Sequence, residues 1–88
     1  QSHRIEVVGD EISLTPKEFD LIEILAKNRG NVLSREELLR KIWGYNFDGE
    51  TRTVDVHIRK LRQKLGDYAD FIETVKGIGY CIKGENNE

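Results

Sequence analysis

Between Arg52 and Lys64 the chain places Arg52, Arg59, Lys60, Arg62 and Lys64 against the single acid Asp55, a local charge of +4 in a sequence whose total is −2. The remaining residues therefore carry −6, and the charge is polarised rather than spread. Basic groups gathered in this way attract a polyanion, and the attraction is oriented because the rest of the chain repels one. Val56 and Thr53 stand among these cations. On a face that also bears arginine and lysine, a short aliphatic side chain fits a DNA major groove. The cations reach phosphates or guanine acceptors there, and a valine packs on a thymine methyl. His57 and Arg62 flank the face and could meet the backbone on either side. A solvated helix face without a partner is the competing reading of the charges, and a half-exposed helix histidine without a role is that of His57.

The element that must carry these residues is a helix from about Arg52 to Leu65. At 100° per residue Val54, Ile58, Leu61 and Leu65 fall within about 60° of one another, and Arg52, Val56, Arg59, Lys60 and Gln63 lie on the opposite side. Two earlier helices are signalled by their starts. Thr15-Pro16-Lys17-Glu18 combines a capping threonine, a proline at the first helical position and a glutamate three residues after the cap, with Phe19, Ile22, Leu25 and Ala26 as the apolar recurrence and Gly30 as the stop. That predicts a helix over about Pro16 to Arg29. Ser34-Arg35-Glu36-Glu37 reads as a second capping box ahead of Leu38, Leu39, Ile42 and Trp43, predicting a short helix over about Arg35 to Trp43. Trp43 is either a core residue or a half-buried one whose indole N–H serves a phosphate.

Residues Gly44 to Glu50 lack an apolar period and form a connecting loop, though Tyr45 and Phe47 are aromatic. Before the first helix, Ile5 and Val7, then Ile12 and Leu14, alternate around Gly9-Asp10-Glu11, predicting a β-hairpin. At the other end Phe71 to Val75 and Tyr80 to Lys83 read as strands around Lys76-Gly77-Ile78-Gly79. The basic tip of that hairpin suits a minor groove, with Thr74 and Tyr80 offering hydroxyls to phosphates. The fold class expected is α+β: a winged helix-turn-helix with short N-terminal antiparallel strands, three helices and a C-terminal β-hairpin wing.

Composition sets the limits. Eighty-eight residues, 38% hydrophobic and 34% charged, make one small domain, one that buries roughly 60–65% of its unfolded surface. Residues 1–3 read as a ragged start, 4–84 as the domain and 85–88 as a frayed tail. No apolar run approaches the roughly 20 residues of a membrane span, so a soluble cytoplasmic domain is expected. Cys81 is the only cysteine, which excludes an internal disulfide and a thiolate metal cluster; it reads as a small core residue, with redox sensing as the minor alternative. A nucleophile with its base and orienting group, a metal set and a phosphate-cradling glycine loop are all missing from the sequence, so neither catalysis nor a cofactor or metal is expected.

The stretches LTPKEFDLIEIL, SREELLRKIWG, RTVDVHIRKLRQKL and ETVKGIGY, in this order and spacing from Leu14 to Tyr80, resemble the effector domain of the OmpR/PhoB response-regulator family. The resemblance implies an N-terminal sheet, three helices and a wing, with the third helix in the major groove of double-stranded DNA and binding to tandem half-sites. Carried onto matching positions, it implies DNA contacts at Trp43, Arg52, Thr53, Val56, His57, Arg59, Lys60, Arg62, Thr74, Lys76, Gly77 and Tyr80. It further implies contact with RNA polymerase through Tyr45, Asn46, Phe47, Asp48, Gly49 and Glu50, and a phosphoacceptor receiver domain that these 88 residues do not include. Two departures stand out: Lys76 replaces the usual arginine of the wing, and the residues before Thr15 are too few for the family's full N-terminal sheet. A winged helix used to bind a protein is the main competing function, and the negative net charge favours it.

Overall fold

The computed structural model describes residues 4–7 and 9–84. The start before Arg4, the tail after Gly84 and the side chain of Val7 lie outside the described residues. Chain order is β1 (Arg4–Val7), β2 (Asp10–Ser13), α1 (Pro16–Lys27), β3 (Leu33–Ser34), α2 (Arg35–Trp43), α3 (Arg52–Leu65), a 3-10 turn (Gly66–Phe71), β4 (Ile72–Val75) and β5 (Gly79–Ile82).

The helix starts follow from local chemistry. At α1 the Thr15 hydroxyl accepts from the Glu18 N–H (3.2 Å), and the Glu18 carboxylate accepts from the Thr15 N–H (2.9 Å), so both halves of the capping box are made. At α2 the Ser34 hydroxyl accepts from the Glu37 N–H at 3.0 Å. The helix α1 ends two residues before the expected Arg29, because the Asn28 side chain and backbone N–H both turn back onto carbonyls of its last turn. The bounds of α2 and α3 are those read from the sequence.

The first hairpin pairs Ile5 with Ile12 in antiparallel register. The second sheet has the order β3-β5-β4 and contains one strand the sequence did not announce. β3 is only two residues long, pairing Leu33 with Tyr80 and Ser34 with Gly79. Its neighbour β4 begins at Ile72 rather than Phe71, since Phe71 closes the 3-10 turn. The strand β5 is displaced by one residue from the reading, because Gly79 enters the ladder opposite Val75.

The core lies where three helices meet the small sheet. Leu21 and Leu25 of α1, Leu38 and Leu39 of α2, and Val54, Ile58, Leu61 and Leu65 of α3 are all fully or almost fully buried, with Leu33, Ile72 and Tyr80 closing the sheet side. The α3 stripe is the one its periodicity predicts. On α1 the reading is corrected: Leu21 is fully buried while Ala26 is exposed, because the helix turns its Leu21–Leu25 row inward and holds Phe19 and Ile22 at the margin.

One charged pair crosses this core. Glu18 is 2% exposed, and its carboxylate accepts from Lys64 Nζ at 2.7 Å, tying α1 to the last turn of α3. Burial works against the ionised form, yet the bonds from Lys64 and Thr15 outweigh it and hold Glu18 below the usual carboxylate range. A depressed folded-state pKa means the stabilisation is fully present above the ordinary carboxylate range and is lost as pH falls through the lower folded-state value. Lys64→Met should therefore cost about 1–3 kcal/mol at neutral pH by leaving the carboxylate partly unpaired. The melting-temperature gap to the parent chain should close on acidification. A gap independent of pH would show that the loss does not come from the pairing of Lys64 with the Glu18 carboxylate.

Candidate nucleic-acid interface

Helix α3 presents Arg52, Val56, Arg59, Lys60 and Gln63 outward, all exposed, opposite its buried stripe. Val56 is 39% exposed. Arg52, Val56 and Arg59, with Asp55, rim a shallow depression, so the aliphatic group lies between two guanidinium-bearing positions. Thr53 and His57 are half-buried at one edge. His57 Nδ1 lies 2.9 Å from the Thr53 carbonyl, and since a carbonyl can only accept, Nδ1 is the donor in this contact.

The side of this face is built by an aromatic group. The Trp43 ring meets His57 edge-on at 4.9 Å and tilts against Phe47 at 6.2 Å, while Lys17 Nζ sits 5.6 Å from its centroid. Lys17 also donates to the Ile42 carbonyl at 3.0 Å, which caps the end of α2 and fixes where Trp43 emerges. Trp43 is half-buried and packs against the core cluster.

The loop after α2 is ordered from within the domain. Arg40 donates through Nη1 to the carbonyls of Phe47 (3.0 Å) and Tyr45 (3.4 Å), and through Nε to Glu36 at 2.8 Å. The two loop aromatics separate: Tyr45 is 75% exposed, while Phe47 is half-buried and packs against the core. Asn46, Asp48 and Glu50 are exposed and Gly49 is half-buried.

Residues of α3 and the wing meet at Asp55. Arg35, at the first position of α2, donates to both Asp55 carboxylate oxygens (Nε 3.1 Å, Nη2 2.6 Å), and the Tyr80 hydroxyl donates to Oδ1 at 2.7 Å. A planar, two-bond grip of this kind fixes orientation as well as distance. Burial disfavours the Asp55 anion, but Arg35 and Tyr80 outweigh it and keep the carboxyl below its usual range. Burial, then the Asp55 carboxylate, push Tyr80 up to about 12. Tyr80 is thus a buried donor held by Asp55, and the expectation that its hydroxyl is offered outward to a phosphate is corrected: at 7% exposure the ring belongs to the core. Arg35 and Asp55 were missed as site-building residues, because their partners lie 20 and 25 residues away.

Arg62 joins helix and wing a second time. Its Nη2 donates to the Ile72 carbonyl and to Thr74 Oγ1, both at 2.7 Å, with the guanidinium 5.6 Å from the Tyr80 centroid. This half-buried arginine is a strut between α3 and β4 as much as a candidate contact. Thr74, Lys76 and Gly77 are exposed. The wing turn is closed by the Ile78 N–H on the Val75 carbonyl (2.9 Å), and Gly77 at φ +78° supplies the left-handed conformation this turn requires. Among the described residues no group of three or more His, Cys, Asp or Glu could hold a metal ion, and no helix is long and apolar enough to cross a membrane.

Residues 9–82, nearly the whole of this architecture, match the family described as transcriptional regulatory protein, C terminal. The chain belongs to this family. The family is one of transcriptional regulators, not of enzymes. The chain is 49% identical over 82 residues to the response regulator ArlR of Staphylococcus aureus, covering 91% of this chain and 37% of that protein. It therefore spans little more than a third of the length of this relative. Among solved structures, the DNA-binding domain of Bacillus subtilis CssR superposes with a TM-score of 0.80 at 38% identity, covering 90% of this chain and 89% of that one. The Klebsiella pneumoniae RstA DNA-binding domain, solved in complex with the RstA box, gives 0.79 at 35% identity over 91% of this chain and 82% of that one. The winged helix-turn-helix expected from the sequence is the fold of this family member.

Proposed function

We propose that the domain is the output module of a two-component response regulator, acting in the cytoplasm and binding double-stranded DNA sequence-specifically to control transcription. In this reading α3 lies in the major groove and the β4-β5 wing at the minor groove. The observation that carries it is the outer face of α3, where Val56 is exposed among Arg52, Arg59 and Lys60 in a chain that is otherwise acidic. Solvation alone gives no reason for the valine, whereas a groove lined by phosphates and thymine methyls uses both residue types. Membership of a transcriptional-regulator family and the RstA domain's complex support the same reading. Trp43, Thr53, His57, Arg62, Thr74, Lys76 and Gly77 surround the face as further DNA contacts, with Tyr80 acting from beneath through Asp55.

A receiver domain elsewhere in the full protein would bring two copies to tandem direct-repeat half-sites about one helical turn apart. Selection of bound duplexes from a random pool tests this directly. Recovery of a head-to-tail repeat is the expected result, and an inverted repeat or no enriched sequence contradicts it.

The ordered loop from Tyr45 to Glu50 is the proposed RNA polymerase contact, and its two aromatics should now respond differently. Tyr45→Ala should leave DNA affinity within about threefold, under 1 kcal/mol, and leave the melting temperature in place while activation from a target promoter falls. Phe47→Ala should lower the melting temperature, because its ring supports Trp43 and the core. Loss of DNA affinity in folded Tyr45→Ala would place this loop at the DNA instead.

A further inference from the structure

Five large hydrophobic residues are exposed among the described residues: Val32, Tyr45, Val56, Phe71 and Ile78. Single exposed apolar side chains are ordinary, but two of these occupy the two elements that face DNA in the reading above, and each has basic neighbours. Val56 lies with Arg52, Arg59 and Lys60 on α3, and Ile78 follows Lys76 at the tip of the wing. Ile78 is 57% exposed, and it contributes only its backbone N–H to the turn. Its neighbours are each explained by backbone needs, Gly77 by its positive φ and Gly79 by the strand that crowds it. The isoleucine side chain has no such explanation. Ile78 is the last residue of the turn, directly before β5, where Tyr80 two residues later reaches Asp55 of α3. Thr74, opposite Tyr80, accepts from Arg62 of α3. Both strands that carry the tip are therefore tied to α3.

We propose that Ile78 is the groove-reading residue of the wing, packing its side chain against the deoxyribose walls of the minor groove while Lys76 stays with the phosphates. The proposal rests on the DNA-binding reading and adds to it a division of labour. Lysine is strongly hydrated and costly to place in a narrow groove, whereas an aliphatic group gains by leaving water and fits a groove about 6 Å wide. Apolar side chains enter minor grooves in this way in other architectures. Such a contact favours A·T pairs, since the N2 amino group of guanine occupies the groove floor. It releases no counterions, so its contribution is independent of salt.

Both properties separate Ile78 from Lys76 experimentally. The full 88-residue chain and its Ile78→Ser and Lys76→Ala variants would be titrated by fluorescence anisotropy onto the duplex recovered by selection. The A·T pairs flanking the bases read by α3 would be exchanged in turn for G·C or for inosine·C, which lacks the N2 amino group. Ile78→Ser should bind the A·T and inosine·C duplexes about tenfold more weakly than the parent, with an unchanged salt slope. It should no longer distinguish them from the G·C duplex. Lys76→Ala should instead lower the slope by about 1 on every duplex. A parent that binds well and an Ile78→Ser variant within twofold of it on all three duplexes would overturn the proposal, as would an equal loss on all three. A parent that binds no duplex at low salt would overturn the DNA-binding reading itself.

Discussion

Adding one methyl group at Gly79 should destabilise the domain by about 3 kcal/mol, lowering its melting temperature by roughly 12–24 °C. A Cβ at this position would stand 2.0 Å from the Leu33 carbonyl oxygen and 2.9 Å from Ser34 Cα, and both are backbone atoms that no rotamer change can move. Relief requires β3 to part from β5, which breaks the ladder at Leu33 and Ser34 and loosens the entry to α2. Gly77 provides the contrast two residues away. Its φ of +78° disfavours any side chain, but nothing lies within 4 Å of a Cβ there, so Gly77→Ala should cost only about 1–2 kcal/mol. Equal melting temperatures for Gly79→Ala and the parent would mean that the close approach of β3 to β5 does not exist in solution.

The second large effect should come from reversing the character of one side chain on α3. Val56→Glu places a carboxylate at an exposed position, 39% open in the parent, so the fold should tolerate it with a change within about 0.5 kcal/mol. On DNA the same carboxylate would face phosphates and thymine methyls, and would compete with the phosphates for Arg52, Arg59 and Lys60. Binding to the selected site should fall by about two orders of magnitude, near 3 kcal/mol. Isothermal titration with a duplex checks the affinity, and circular dichroism checks that the helix is intact. A folded Val56→Glu protein with parental affinity would remove the outer face of α3 from the interface.

What was legible in the sequence is what local chemistry decides. Thr15, Pro16 and Glu18 mark the start of α1 because the capping bonds join residues three apart. Val54, Ile58, Leu61 and Leu65 mark the face of α3 because a four-residue stripe already fixes which side is dry. The rest depends on partners distant in the chain. β3 has two residues and no period of its own, and it forms because Gly79 lets another backbone approach. Glu18 reads as a cap, and its second role appears only when Lys64, 46 residues later, closes on it. Tyr80 reads as an outward hydroxyl until Asp55 and Arg35 are placed beside it. The candidate site was legible in its charged and aliphatic surface, since exposure follows from helix phase. The struts beneath that surface, Arg35 to Asp55 and Arg62 to Thr74, were not.

Those struts bear on the proposed function because they tie α3 to both strands of the wing. Asp55 sits on α3 yet holds Tyr80 of β5, and Arg62 sits on α3 yet holds β4. In the proposed reading, helix and wing would approach a duplex at a spacing set by these bonds.

The most direct test of sequence-specific DNA binding is a comparison of two duplexes across a salt series. Fluorescence anisotropy of the 88-residue chain would be measured on one selected half-site and on the same bases scrambled. The half-site should bind with a Kd near micromolar at physiological salt, about tenfold or more tighter than the scrambled duplex, and both affinities should fall as salt rises. Equal, weak and salt-independent binding to the two duplexes would contradict it, and the exposed face of α3 would then belong to a protein partner.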